Sequence, residues 1–163
     1  TFSKAAKDPR WIEAMNEEIR ALSKNKTWDL VPTSLNKKLI GCRWIYKVKY
    51  NADGSVNRYK AQLVAKGYAQ THGVDYEETF APVEKMMTVR TVIALVAVKG
   101  WYLHQMDVKN AFLQGELEEE YMVQPPGFNS STHTKAICRL KKPLSGLKQA
   151  PRAWHSKITQ CLH

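Results

Sequence analysis

Two alternating runs joined by an Asp-Gly turn constrain this 163-residue chain more than anything else in it. Over residues 42–50, Cys42, Trp44, Tyr46, Val48 and Tyr50 alternate with Arg43, Ile45, Lys47 and Lys49. After Asn51-Ala52-Asp53-Gly54, the residues Tyr59, Ala61, Leu63 and Ala65 alternate with Arg58, Lys60, Gln62, Val64 and Lys66. Side chains of a strand point to opposite faces with a period of two, and Asp-Gly supplies the positive φ that a tight turn needs. The pattern predicts an antiparallel hairpin with one apolar, aromatic face and one largely cationic face. That cationic face is either a solvated surface or a phosphate-binding one, and both readings stand at this level.

Helical signals flank the hairpin. Asp8-Pro9 has the N-cap and first-turn chemistry of a helix start. Trp11, Ile12, Met15, Ile19 and Leu22 follow as a core-facing stripe, with Glu13, Glu17, Glu18 and Arg20 on the other side and an end near Asn25. Residues 28–31 read as a short extended piece stopped by Pro32, and residues 67–82 as an ordered connection. Thr88 is the expected cap of a second helix carrying Val89, Val92, Ile93, Val96 and Ala97 on one stripe, closed by Gly100. Residues 101–108 read as a strand, 109–117 as a short helix, and Glu116 with residues 118–120 as a solvated acidic turn. A breaker at 124–127, a polar loop at 129–134 and a strand at 137–140 precede a last helix opened by Pro151, with Trp154, Ile158 and Leu162 on one face. The whole predicts one α+β domain, a mostly antiparallel sheet with packed helices.

Composition narrows the function classes. Hydrophobic residues at 44% argue against disorder, and 25 Lys plus Arg against 15 Asp plus Glu favour a polyanionic partner. The cysteines Cys42, Cys138 and Cys161 form no CxxC pair, and the histidines fall at no zinc-ligand spacing with them, so they read as small buried hydrophobes in a reducing compartment. The longest apolar run, residues 92–98, is too short to span a bilayer, so no membrane partner is expected. The chain lacks an initiator Met and stops at Leu162-His163 within helical pattern, which reads as a fragment.

The segment QMDVKNAFLQG, residues 105–115, holds the candidate chemistry. A carboxylate at the end of an apolar strand is costly unless paired, and a metal ion is the usual partner. Asp107 is therefore a metal-ligand candidate, with a capping or salt-bridged aspartate as the other reading. Phe112, five residues on, is by composition simply a core residue.

WIEAMNEEIRAL, NKTWDLV, CRWIYKVKYNADGSVNRYKAQLVAKGYAQTHGVDYEETFAPV, TVR, QMDVKNAFLQGELEEEYMVQPPGF and LSGLKQAPRAW occur here in that order. Together they resemble successive blocks of the reverse transcriptase of Ty1/copia-type LTR retrotransposons, and the resemblance covers essentially the whole chain. It implies an RNA-directed DNA polymerase of right-hand architecture, with fingers over residues 1–100 and a partial palm over 101–163. In that family Asp107 matches the first of three metal-binding aspartates, working with two Mg²⁺ ions, and the Val108 backbone carbonyl would help hold the metal. Phe112 matches the steric gate that excludes a ribose 2′-hydroxyl. Gln149, Lys60 and Lys66 would contact the incoming nucleotide, and Lys47, Lys49, Arg58, Lys148 and Arg152 the nucleic acid. Several of these have plain alternatives, as helix-start or surface residues.

The resemblance also implies partners: a template–primer of RNA or DNA, dNTPs and the remainder of a Pol polyprotein. The implied setting is intracellular, a cytoplasmic virus-like particle for an active element, or the nucleus. Two departures stand out. Where the family reads KARLVAKG this chain has Gln62, and where it reads LYGLKQ this chain has Ser145; both suggest drift. No Tyr-x-Asp-Asp block occurs within the chain, so the Mg²⁺ site is expected to be incomplete and the chain alone inactive. A non-catalytic nucleic-acid-binding remnant of a degenerate retroelement is the alternative.

Overall fold

The computed structural model describes residues 1–33, 38–77, 79, 85–104, 108, 110–117, 119–129 and 136–162. A single turn, α1 (Phe2–Ala5), leads to α2 (Pro9–Lys24). Asp8 caps α2 as expected: its Oδ1 accepts the Arg10 amide at 3.0 Å and Pro9 follows it in the first turn. At the other end the Thr27 hydroxyl, itself buried, donates to the Leu22 carbonyl at 2.8 Å and turns the chain into β1 (Trp28–Pro32).

The hairpin forms as its alternation predicts, from β2 (Cys42–Tyr50) and β3 (Val56–Ala65). Trp44 opposes Leu63, Tyr46 opposes Ala61 and Val48 opposes Tyr59 on the inner face. Gly54 turns the chain at φ 83°, and Asp53 Oδ1 accepts the Ser55 amide at 2.9 Å. α2 lies across the inner face and buries Ala14, Met15 and Leu22 there. Trp11 packs edge-on against Tyr46 and Tyr59, with ring centroids 5.2 and 4.7 Å away, and Arg10 stacks 4.7 Å above the Tyr59 ring.

α3 (Met86–Lys99) follows, then β4 (Glu120–Met122), β5 (Ala136–Leu140) and α4 (Ala150–Leu162). β1, β5 and β4 make a second antiparallel sheet in that order. Ile40 links the two sheets: its amide donates to Tyr121 at 2.8 Å and its carbonyl accepts from Val123 at 3.0 Å, immediately before β2 begins. Leu63, Met122, Cys138, Leu140 and Leu144 fill the space between hairpin, sheet and helices.

Two stretches of main chain cross in direct contact. The Ala65 amide donates to the Ser145 carbonyl at 2.8 Å. Gly146, at φ 95°, lies so close that a Cβ there would stand 2.3 Å from the Ala65 carbonyl oxygen. A Cβ on Gly67 would stand 2.0 Å from the Gly146 oxygen.

Several expectations need correction. α3 begins at Met86, with Lys85 rather than Thr88 at its cap, and none of its residues is buried, although Gly100 does close it in the left-handed conformation. Met86, Met87, Val89, Val92, Ile93, Leu95 and Val98 are all exposed, so the helix is apolar around its circumference and the expected stripe has no contrasting face. Residues 101–104 and 108 form no strand, since no strand among the described residues offers them a ladder, and residues 105–107 lie outside the described residues. Glu120 belongs to β4, not to a solvated turn. Cys42 and Cys138 are buried, with thiols pushed by burial up to about 11 and about 12, whereas Cys161 on α4 is exposed. No helix among the described residues is long and apolar enough to cross a membrane.

The crossing generates a stability prediction. Gly146→Ala introduces both a strained φ and a clash with the Ala65 carbonyl, and is expected to cost about 2 kcal/mol or more in urea denaturation. A loss below about 0.5 kcal/mol would show that the crossing can open at little cost.

Candidate functional site

The outer face of the hairpin collects cations in register. Lys47 stands opposite Lys60 and Lys49 opposite Arg58, and all of them are exposed. None of these side chains forms an ion pair among the described residues, and the charges of Lys47, Lys49 and Arg58 are open to an external partner. Arg43, opposite Val64, extends the same face. Lys66 differs: it is half-buried, and its stem lies where a Cβ on Gly41 would meet it at 3.0 Å.

Lys60 and Phe112 meet at one cavity of about 230 Å³. Phe112 sits on a 3₁₀ turn (Ala111–Gln114) that Asn110 enters in the left-handed conformation, at φ 53°. Behind this turn, Gly115 is pressed against Ala153 of α4, where a Cβ would stand 2.9 Å from the Ala153 carbonyl carbon. The turn is thus held against α4, and the half-buried Phe112 packs against the core cluster. Gln62, Ser145 and Glu18 also line the cavity. Gln62 and Ser145, which read in the sequence as departures from the family blocks, share this cavity with the expected gate residue. A space of this size takes part of a nucleotide, a sugar or a phosphate, and not the whole of one.

Gln149 and Arg152 lie elsewhere, on a larger cleft of about 700 Å³. The Gln149 carboxamide is engaged within the protein: Nε2 donates to Glu120 Oε1 at 3.0 Å, and Oε1 accepts from Gln70 Nε2 at 3.0 Å. Gln70, 7% exposed, also donates to Glu120 at 3.1 Å and accepts the Lys148 amide at 2.9 Å, so it fastens the turn that leads into α4. Lys148 itself is exposed. Burial pushes the Glu120 carboxyl up, against the pull of the Gln149 and Gln70 donors. Asp75 is held below the usual carboxylate range by its hydrogen bond from Lys38. Asp75, Glu77, Glu116, Glu119 and Glu120 outnumber Lys38 and Arg152 around this cleft, so its charge opposes a polyanion despite its size. The charged residues lining the smaller cavity are one cation, Lys60, and one carboxylate, Glu18.

Asp107 lies outside the described residues. Val108 is described and exposed, in an irregular segment. Among the described residues no group of three or more His, Cys, Asp or Glu side chains could hold a metal, so these residues do not themselves assemble a Mg²⁺ site.

Glu18, Gln70 and Glu120 escape a reading by motif. Glu18 had a detectable signal, because it falls three residues after Met15 and four before Leu22, inside the buried stripe rather than opposite it. Gln70 and Glu120 had none, since their partners are remote in sequence.

The profile of the family described as "Reverse transcriptase (RNA-dependent DNA polymerase)" matches residues 25–163. The chain is 51% identical, over 99% of its own length, to the "Retrovirus-related Pol polyprotein from transposon RE1" of Arabidopsis thaliana. It is 46% identical, over 90% of its length, to the corresponding polyprotein from transposon TNT 1-94 of Nicotiana tabacum. Identity to the Ty1-ER2 Gag-Pol polyprotein of Saccharomyces cerevisiae is 29% over 99% of the chain. The chain spans 11% of the length of each of the two plant polyproteins and 9% of the yeast one. No solved structure matches it.

The Gln70–Glu120–Gln149 cluster predicts a pH signature. With its folded pKa raised, Glu120 binds its proton more tightly in the native state, so its contribution is fully present below the ordinary value of 4.5 and is lost as pH rises through the raised one. Urea denaturation across that window is expected to show Glu120→Gln gaining on the unmodified chain as pH rises. A pH-independent difference would refute the assignment.

Proposed function

The chain belongs to the reverse transcriptase (RNA-dependent DNA polymerase) family, and on that premise we propose that it forms the fingers and first part of the palm of such an enzyme within a Ty1/copia-type Pol polyprotein. The reaction is extension of a primer on an RNA template: the primer 3′-hydroxyl attacks the α-phosphate of a dNTP and pyrophosphate leaves. The observation that carries this reading is the meeting of Lys60, from the hairpin, with Phe112, from the 3₁₀ turn, at one cavity.

Their chemistries are complementary. Lys60 would offer a cation to the nucleotide's phosphates, and Phe112, in the gate role, would set its ring against the sugar where a ribose 2′-hydroxyl would clash. Lys47, Lys49 and Arg58 continue the charge of Lys60 along the same face, as a path for phosphate backbone. Lys66 adds a further cation beyond β3. Lys148 marks the proposed template side ahead of α4, whereas Arg152 lies on the acidic cleft, and Gln149 holds the start of α4 in place through Gln70 and Glu120. Asp107 and the Val108 carbonyl are assigned to the metal by their sequence block alone; when bound, Mg²⁺ neutralises charge on the triphosphate and activates the primer hydroxyl. The polyprotein's intracellular particle is the proposed setting.

Two experiments test the reading. Placed in an intact Ty1/copia-type reverse transcriptase, this segment with Phe112→Val is expected to raise ribonucleotide incorporation relative to dNTP by about tenfold. Unchanged discrimination in primer extension would remove Phe112 from the gate role. The chain by itself is expected to bind template–primer with an affinity that falls steeply with salt. Replacing Lys47, Lys49 and Arg58 with Ala should flatten the log–log slope by about 0.9 for each phosphate that is no longer neutralised. An unchanged slope would exclude the hairpin face as the interface.

A further inference from the structure

The family profile begins at residue 25, yet a residue from α2, ahead of that point, reaches the Phe112 cavity. Glu18 projects from the buried side of α2, and its Oε1 accepts the Leu63 backbone amide at 3.2 Å. That amide lies in β3, which pairs with β2 alone among the described residues. The bond therefore caps an otherwise open edge and fixes the carboxylate beside the cavity. The other Glu18 oxygen receives no hydrogen bond from the described residues. Lys60 is the only other charged side chain lining the cavity among them, and it forms no ion pair with any of them. Burial raises the Glu18 carboxyl and the Lys60 charge pulls it back, so the two groups sense each other across the cavity.

We propose that Glu18 is a positioning residue for Lys60: its carboxylate keeps the ammonium at the Phe112 cavity while no phosphate is present, and opposes a polyphosphate when one arrives. The inference rests on the nucleotide-pocket reading above. It adds that the pocket carries its own counter-charge, delivered by a helix ahead of the residues that the family profile matches. A phosphate ligand has to take Lys60 over from Glu18, so affinity is set by the difference between the two attractions and not by Lys60 alone.

Glu18→Gln separates charge from architecture, because the amide oxygen still accepts from Leu63 while the negative charge is gone. With inorganic tripolyphosphate as the probe, titration calorimetry on the whole chain is expected to show about three- to tenfold tighter binding for Glu18→Gln. The gain should vanish in a Lys60→Ala background. A structural role alone would not tighten binding. Unchanged or weaker binding by Glu18→Gln, with thermal unfolding unaltered, overturns the proposal. A second readout needs no ligand: the Glu18 carboxyl, followed by carbon-13 NMR, is expected to titrate at higher pH in Lys60→Ala, and an unmoved titration also overturns it. If neither protein binds tripolyphosphate while that titration moves, the nucleotide-pocket reading fails and the Glu18–Lys60 pairing stands.

Discussion

The contact on which the arrangement depends is the crossing of two main chains at Gly67 and Gly146. Nothing larger than hydrogen fits at either position, and the Ala65 amide is bonded to the Ser145 carbonyl across the crossing. Apart from the α2 residues that close its edge, the Lys60–Phe112 cavity is built from segments that meet at this crossing or rest on α4 beyond it. β3 enters from one side with Lys60, Gln62 and Leu63. From the other come Leu144 and Ser145, followed by α4, against which the Phe112 turn is backed. Gln70 reinforces the crossing a few residues further on, joining the chain after β3 to the start of α4 and to β4. Backbone contact of this kind leaves less play than side-chain packing, because no rotamer change can relieve it.

Much of the fold was legible from local chemistry. Asp8-Pro9, the alternation through residues 42–65 and the Asp-Gly turn each act within a few residues, and the structure follows them closely. Local signals failed where a partner was needed to decide. Residues 101–104 have the composition of a strand but no neighbour among the described residues to pair with, and β4 is only three residues long, too short for its alternation to register. α3 illustrates a different limit: its apolar residues recur so densely that no face is singled out, and periodicity cannot assign a buried side.

For the site, the residue types were readable while their grouping was not. Sequence blocks single out Lys60, Phe112 and Gln149 alike, but folding sends Lys60 and Phe112 to one cavity and Gln149 to another cleft. Sequence distance explains the difference, since the cavity is assembled from β3, the 3₁₀ turn and the Leu144–Ser145 segment with α2 closing its edge. Gln149 also shows how a polar residue beside a functional block can be absorbed into the scaffold, with both ends of its amide bonded internally.

The cross-strand pairing of Lys47 with Lys60 and of Lys49 with Arg58 has a consequence for the hairpin itself. Like charges directly opposite one another weaken a ladder, and mobile ions relieve that strain by screening it. The outer half of the hairpin is thus a structural element whose own firmness increases with ionic strength, whereas the proposed grip on a polyanion would decrease. Dissolved salt and a phosphate chain would be alternative sources of the same missing negative charge. Under the proposed reading a bound strand would do more than fill a surface: it would complete the electrostatics of the hairpin and stiffen it.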